Sequence, residues 1–230
     1  MTTLGTARAA LAATCAEQPA LQHADQPALS ARYGELLEEL HAQLLAGHLS
    51  AAEARQLRFE RLLGPYGVGS AEAGRVAACH YGHYQRLRRP LPGALALLRA
   101  LQPRYRLGII TNNRRAEQLE KLTCLGFASY VDVLITSEEV GVTKPDPHIF
   151  AVALAQLGAC PAEAVGDNWT ADVLGALAAG IRPVWFNRTG RVAPLPHVAE
   201  LQSLEPLPAV LALLTGEPVA AAGGAGRSPA

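Results

Sequence analysis

The sequence predicts an α/β protein: a parallel, doubly wound sheet with an inserted all-helical region near the N-terminus. Two observations support this class. From residue 105 onward, short apolar strands alternate with amphipathic helices, and that order builds a parallel sheet. Between residues 7 and 90, apolar residues recur only with helical spacing, and no strand pattern interrupts them.

The composition excludes several classes of protein. The 230 residues include 20 Lys and Arg and 20 Asp and Glu, so no basic excess is present to bind a nucleic-acid backbone or a membrane surface. The four cysteines are far apart, and none forms the Cys-x-x-Cys pair of zinc or redox sites. We therefore expect a cytoplasmic protein with reduced thiols, with no nucleic-acid or membrane partner, as a monomer or a homodimer.

The helical region divides into separate helices at its capping residues. A stripe at helical spacing covers residues 33–44 and predicts the first long helix. Ser50 and Glu53 have the spacing of a capping box, which begins the next helix. Ser70 is expected to cap a further helix that runs to about Arg88. The sequence thus predicts a small helical bundle over this region.

The second part of the chain alternates strands and helices. Its pattern opens with a helical stripe over residues 91–101. The predicted strands are 105–111, 131–136, 162–167 and 182–186, and the predicted helices are 114–125, 147–157 and 169–179. Residues 216–230 are rich in Ala, Gly, Ser and Pro, and are predicted to be a disordered tail because they can bury little apolar surface.

Polar residues follow the predicted strands at the edge of the sheet where ligands bind. Thr111 and Asn112 end one strand, and Lys144 opens a Lys-Pro-Asp-Pro loop. Asp167 ends a later strand, and Asp172 lies in the first turn of the helix that follows. Each alone also fits a structural use: a helix cap, a solvated loop lysine, or charges that compensate a helix dipole. Together, a hydroxyl, an ammonium and two carboxylates can hold a phosphate beside a divalent metal.

The order and spacing of these motifs resemble the haloacid dehalogenase-like hydrolases. The motifs are Thr-Asn after a strand, Lys-Pro-Asp-Pro-x-x-Phe, and Gly-Asp-x-x-x-x-Asp-x-x-Gly-Ala, and the resemblance runs from about residue 91 to 190. It implies a Rossmann-like core formed by residues 1–6 and 91–215. Residues 7–90 resemble the inserted helical cap of that family.

The resemblance also implies a chemistry and a set of site residues. The expected reaction is Mg²⁺-dependent hydrolysis of the phosphate monoester of a small metabolite. Thr111, Asn112 and Lys144 are expected to bind the phosphate, with Thr111 and Lys144 as catalytic residues. Asp167 is expected to hold Mg²⁺, with Asp172 as a second ligand or a supporting partner.

One departure from the family pattern affects the expected activity. The family uses Asp-x-Asp-x-Thr at the end of a central first strand, and no Asp-x-Asp pair occurs in this sequence. Thr3 and Leu4 resemble the end of that motif, and Met1 then stands where the second Asp belongs. We expect a sequence that starts too late, lacks the first core strand and is inactive as written. The alternatives are a non-catalytic phosphate- or metal-binding protein of the same fold, and haloacid dehalogenase or phosphomutase chemistry.

A second group of residues lies in the helical region. His80 and His83 are three positions apart and lie beside Cys79, a spacing that can bind a metal. No second ligand pair accompanies them, so we interpret them as a polar helix face rather than a metal site.

Overall fold

The computed structural model of the chain describes residues 3–21, 24–45, 48–158 and 162–216. The chain folds as two units, residues 1–89 and residues 90–230. None of the described helices has both the length and the apolar character that crossing a bilayer requires. The division into residues 1–6 with 91–215 and residues 7–90 stays a prediction, and the predicted tail lies outside the described residues from 217 onward.

The first unit is a set of helices packed around an apolar core. Its helices are α1 (Thr3–Glu17), α2 (Gln26–Leu45), α3 (Ala51–Leu63) and α4 (Ser70–Leu87). Each contributes buried residues to one cluster, among them Leu11, Leu36, Phe59 and Val76. The helical stripe thus predicts the class of this region correctly, because apolar residues at helical spacing form one buried face per helix.

The helix start predicted at Ser50 is confirmed, whereas the cap predicted at Ser70 is wrong. Ser50 Oγ accepts the Glu53 N–H at 3.1 Å, and the Glu53 carboxylate accepts the Ser50 N–H at 2.7 Å. Gly69 holds the cap position of α4, and Ser70 is the first helical residue. The Ser70 hydroxyl donates instead to the Glu60 carboxylate. It therefore links α3 to α4 rather than satisfying its own helix.

A histidine lies inside the helical core. His80 is only 3% exposed, and its ring centroid is 5.3 Å from that of Tyr33 and 5.0 Å from that of Phe59. Its Nε2 lies 3.2 Å from the carbonyl oxygen of Ala7, which places the proton of the neutral ring on Nε2. Burial lowers the pKa of His80 from 6.5 to about 4. The side chain is therefore an uncharged core residue at neutral pH.

The second unit alternates strands and helices, as predicted. Its strands are β1 (Gly108–Thr111), β2 (Val133–Thr136), β3 (Glu163–Gly166), β4 (Arg182–Phe186) and β5 (Ala199–Leu201). Its helices are α5 (Ala94–Leu101), α6 (Arg115–Cys124), α7 (Ser137–Val140), α8 (Pro147–Leu157), α9 (Gly175–Ala178) and α10 (Leu207–Thr215). The helix predicted at 169–179 is a π-helical segment, Trp169–Leu174, that leads into α9.

Every strand pair in the structure is parallel, but the strands form two sheets. β1 pairs with β2, with Thr111 opposite Thr136, and β4 pairs with both β3 and β5. In the described parts of the chain, no strand pairs with the second edge of β1 or of β3. The predicted parallel α/β class is confirmed, and its sheet is divided between β1 and β3.

One apolar cluster has contributions from both sheets. Ile149 and Phe150 of α8 are buried in one cluster with Ile135 of β2, and Ala164 of β3 packs against the same cluster. Val165 of β3 is nevertheless 47% exposed, although parallel strands are normally covered on both faces. Side-chain packing under α8 therefore connects the two sheets across a gap that no described backbone pairing closes.

We expect the helical unit to lose stability as the pH falls from about 6.5 to about 4. Folded His80 stays neutral down to about pH 4, whereas an unfolded histidine takes up a proton near pH 6.5. The stability is therefore complete above the unfolded pKa and declines as the pH falls toward the folded pKa. Urea unfolding at about pH 7.5 and about pH 5 measures the difference.

The variant His80→Gln tests the assignment, because an amide can still donate to the Ala7 carbonyl but does not titrate. We expect it to remove much of the pH dependence. His48→Gln, at an exposed histidine of the same unit, is the matched control and should leave it unchanged. A pH dependence that is equal in both variants would exclude His80 as its source.

Candidate functional site

Thr111 lies where β1 ends and the chain turns toward α6. Its Oγ accepts the N–H of Asn113 at 3.1 Å. Arg114 holds the cap position of α6, so the alternative use of Thr111 or its neighbours as the cap of that helix is wrong. Among the described residues, the Thr111 hydroxyl has no acceptor for its own hydrogen. That hydrogen is available to a ligand at the end of the strand.

Asn112 fixes the loop that carries Lys144. Its Nδ2 donates to the carbonyl of Lys144 at 3.1 Å, and its Oδ1 accepts the N–H of Lys144 at 2.7 Å. The Asn112 amide thus bonds both the N–H and the carbonyl of Lys144, the same two groups that a paired strand would bond. The Asn112 side chain, which is predicted to bind phosphate, therefore holds the Lys144 loop. One of its two amide hydrogens is not used in these bonds.

The ammonium of Lys144 connects β1 to the chain that follows β3. Its Nζ donates to the carbonyl of Ile110 at 3.0 Å and lies 2.6 Å from Oδ1 of Asp172. The carbonyl of Leu107 accepts N–H groups from the start of β2, and successive residues of a parallel strand point their backbone groups to opposite sides. The Ile110 carbonyl therefore faces away from β2, and Lys144 caps the free edge of β1.

Both carboxylate oxygens of Asp172 are engaged. Oδ1 pairs with Lys144, and Oδ2 accepts the N–H of Asn168 at 2.9 Å. The Lys144 and Asp172 side chains are only 16% and 15% exposed. Because little water reaches it, this ion pair is stronger than one between solvated side chains, and either charge would be costly to leave alone.

Asp167 directly follows β3 and is an exposed residue. Its backbone carbonyl accepts the Nε1–H of Trp185 at 3.2 Å, which anchors the end of the strand. Its carboxylate has neither a hydrogen bond nor an ion pair with any residue that the structure describes. Carboxylate oxygens suit Mg²⁺, so Asp167 fits a direct ligand. Asp172 would first have to release Lys144 or the Asn168 N–H.

The structure adds two residues whose role the sequence reasoning missed. A Cβ at Gly166 would overlap the side chain of Asp172, so only glycine leaves room for that carboxylate. Asn168 Oδ1 accepts the N–H of Ala171 at 2.8 Å and caps the π-helical segment. An Asn ahead of a helical pattern is a recognised capping signal and could have identified it.

An open cavity of about 530 Å³ lies elsewhere in the α/β unit, between β2 and α8. Arg115, Glu139 and His148 are among its lining residues, and none of the predicted site residues lines it. The predicted site and this cavity are therefore separate features of the unit.

We expect Gly166→Ala to destabilise the α/β unit by about 1–3 kcal/mol, because the added methyl group forces Asp172 away from Lys144. Urea unfolding followed by the fluorescence of Trp169 and Trp185 measures the loss. Gly34→Ala, inside helix α2, is the control: its added methyl group would make only an ordinary contact, with Arg8 at 3.5 Å. A Gly166→Ala protein as stable as the parent would show that Asp172 does not need this space.

Comparisons with known proteins agree with the motifs. The chain matches the haloacid dehalogenase-like hydrolase family model over residues 5–180. It is 41% identical over 126 residues to the pyrimidine 5′-nucleotidase YjjG of Escherichia coli, covering 51% of this chain and 56% of the relative. It is 37% identical over 174 residues to the phosphoserine phosphatase of Thermus thermophilus, covering 74% of this chain and 66% of the relative. The matches span between about half and two thirds of these curated relatives.

Solved structures give the same result for the fold. The HAD-hydrolase YfnB of Bacillus subtilis, solved with bound magnesium, has a TM-score of 0.72 at 23% identity, covering 92% of this chain and 93% of its own. The 2-haloacid dehalogenase of Pseudomonas syringae has a TM-score of 0.62 at 28% identity, covering 92% of each chain. Since the family model spans well over half of the sequence, the protein belongs to the haloacid dehalogenase-like hydrolases.

Proposed function

We propose that this hydrolase is a Mg²⁺-dependent phosphatase that acts on the phosphate monoester of a small metabolite. The observation that best supports the proposal is the Lys144–Asp172 ion pair, held at the carboxyl ends of β1 and β3, where open α/β sheets bind ligands. The relatives named above include a nucleotidase and a phosphatase. The proposal keeps the cytoplasmic location and the monomeric or homodimeric state expected from the sequence.

In this proposal, two side chains act on the phosphate directly. Thr111 donates its hydroxyl hydrogen to a phosphoryl oxygen, and the Lys144 ammonium balances the negative charge that grows during phosphoryl transfer. Asn112 keeps Lys144 in position through its backbone and has one amide hydrogen left for the phosphate. Because Lys144 is held at both its backbone and its ammonium, it needs little reorganisation when the substrate reacts.

Asp167 is the residue best suited to hold Mg²⁺, because its carboxylate is exposed and without a partner among the described residues. Asp172 supports the site as a second ligand or through Lys144 and Asn168. When bound, the ion would neutralise phosphate charge and polarise the bond that breaks.

The proposed chemistry also needs an aspartate nucleophile beside Lys144. We propose that a strand ending in Asp-x-Asp belongs between β1 and β3, parallel to both. Such a strand would pair with both edges and take the Ile110 carbonyl from Lys144, whose ammonium would stay beside Asp172 and the last residues of the strand. The first Asp would attack phosphorus, the second would protonate the leaving oxygen, and water would then hydrolyse the acyl-phosphate.

The test compares the 230-residue chain with a variant that carries this strand. We expect no Mg²⁺-dependent phosphate release from the 230-residue chain. We expect release from a variant with about 5–6 apolar residues and Asp-x-Asp placed ahead of Thr3. The substrates are a pyrimidine nucleoside monophosphate, phosphoserine and p-nitrophenyl phosphate. The matched control has Asn in place of the first Asp and should gain thermal stability without gaining activity.

Three other outcomes would change the proposal. Turnover by the 230-residue chain would overturn the assignment of the nucleophile. A stable but inactive Asp-bearing variant that still binds phosphate would favour a non-catalytic binding protein. Halide release from a 2-haloacid that persists in a metal chelator would favour dehalogenation, the activity named for the Pseudomonas syringae neighbour.

In the active variant, we expect Asp167→Asn to raise the Mg²⁺ concentration for half-maximal activity by about tenfold or more, because an amide oxygen binds the ion more weakly. Activity measured against Mg²⁺ concentration tests this. Asp146→Asn is the matched control, since it removes the same charge and Asn can still accept the His148 N–H that caps α8. An equal Mg²⁺ requirement in both variants would show that Asp167 is not a ligand.

A further inference from the structure

Three different metal-binding side chains meet in the helical unit. Glu17 is the last residue of α1, and Cys79 and His83 lie one turn apart on α4. One ligand atom from each lies within 4.8 Å of the other two. Cys79 Sγ donates to Glu17 Oε2 at 3.3 Å, and His83 Nε2 lies 3.0 Å from the same oxygen. A carboxylate, a thiol and an imidazole thus lie close enough together to bind one ion.

The packing of α1 against α4 holds this cluster together. Leu11 and Cys15 of α1 are buried in the same apolar core as Val76 of α4. The His83 side chain is 12% exposed and that of Glu17 is 57% exposed. The cluster is therefore anchored by the packing of α1 on α4, and an ion can reach it from solvent on the side of the exposed Glu17.

The interpretation of His80 and His83 as one polar helix face is wrong for His80, which is 3% exposed. His80 turns into the core, where its Nε2 meets the carbonyl of Ala7. His83 lies with Cys79 and Glu17 instead. Residues four apart share a helix face, which explains why Cys79 and His83 point the same way, and Glu17 arrives from a neighbouring helix that spacing along the chain does not reveal.

We propose that Glu17, Cys79 and His83 form a binding site for Zn²⁺. A thiolate, an imidazole and a carboxylate together suit this borderline-soft ion and give three protein ligands with a fourth position open to water. Bonds of about 2.0–2.3 Å in a tetrahedron place ligand atoms about 3.3–3.7 Å apart. The distances of 3.0 and 3.3 Å to Glu17 Oε2 are close to these, and all three ligand atoms lie within 4.8 Å of one another, so side-chain movements bring them to binding distance.

Binding exchanges protons for the metal. Burial raises the pKa of the Cys79 thiol, and the hydrogen bond to Glu17 and the charge of Glu17 raise it further. The thiol hydrogen therefore leaves to solvent as the Cys79–Zn²⁺ bond forms, and the His83 proton moves to Nδ1 as Nε2 binds the ion. Arg86 opposes this change, because its Nη2 lies 3.2 Å from Nδ1 of His83 and its charge repels a cation.

The test begins with the unmodified full chain in metal-free buffer. Titration with Zn²⁺ is followed by calorimetry, and titration with Co²⁺ by the absorption band of a cobalt–thiolate bond. Zn²⁺ should also slow the alkylation of Cys79, read by mass spectrometry, without slowing that of the exposed Cys124. This last measurement needs no substitution, so it stays informative if a variant fails to fold.

Substitutions then identify the ligands. Cys79→Ser and His83→Gln should each weaken Zn²⁺ binding by at least about tenfold and abolish or shift the cobalt band. Cys124→Ser is the matched control and should change neither. Arg86→Gln should tighten binding severalfold, because it removes the opposing charge and frees Nδ1 of His83.

The proposal fails if alkylation of Cys79 is equally fast with and without Zn²⁺. It also fails if Zn²⁺ binds Cys79→Ser and His83→Gln as tightly as the parent chain, which would place the ion on other residues. Tighter binding by Arg86→Gln together with loss in the two ligand variants would establish the site.

Discussion

The α/β unit depends on one charged side chain at the break between its sheets. The Lys144 ammonium joins the Ile110 carbonyl of β1 to Asp172, which follows β3. A largely buried ammonium is tolerated only with partners, and these two supply them. Asn112 holds the backbone of the same residue, so Lys144 is fixed at both ends. The Lys144 ammonium, which is proposed to bind phosphate, is therefore held in place by protein contacts alone.

Apolar packing joins the two sheets, which no described backbone pairing connects. Ile149 and Phe150 of α8 lie in one buried cluster with Ile135 of β2, and Ala164 of β3 packs against that cluster. Gly175 lets the chain after the π-helical segment approach α8 closely. A Cβ at Gly175 would lie 2.6 Å from the Phe150 ring. The contact explains why Gly-Ala follows the second aspartate of the motif, and it ties the position of Asp172 to the core.

Local patterns predicted much of the fold, and the use of the strand-end residues as a functional site stays a prediction. Helix 147–157 and strand 182–186 have the predicted bounds, because both are strongly apolar segments with clear ends. β5 has three residues, too few for a period to be visible. Thr111, Lys144 and Asp172 could be brought to one edge from strand ends alone. The two hydrogen bonds between the Asn112 side chain and the Lys144 backbone could not be predicted, because they depend on the Lys144 loop lying beside the end of β1. The same limit hid Glu17, which reaches Cys79 and His83 across two helices.

The edges of β1 and β3 that no described strand pairs with have a consequence for association with other chains. Exposed rows of backbone N–H and C=O groups are templates on which strands from other molecules can add. Glu163 and Asp167 flank the three uncharged residues 164–166 of β3, and such flanking charges limit this addition. The two edges that would accept a catalytic strand would also accept a strand from a neighbouring chain. Under the proposed function, a catalytic strand and the strands of neighbouring chains would compete for the same backbone groups.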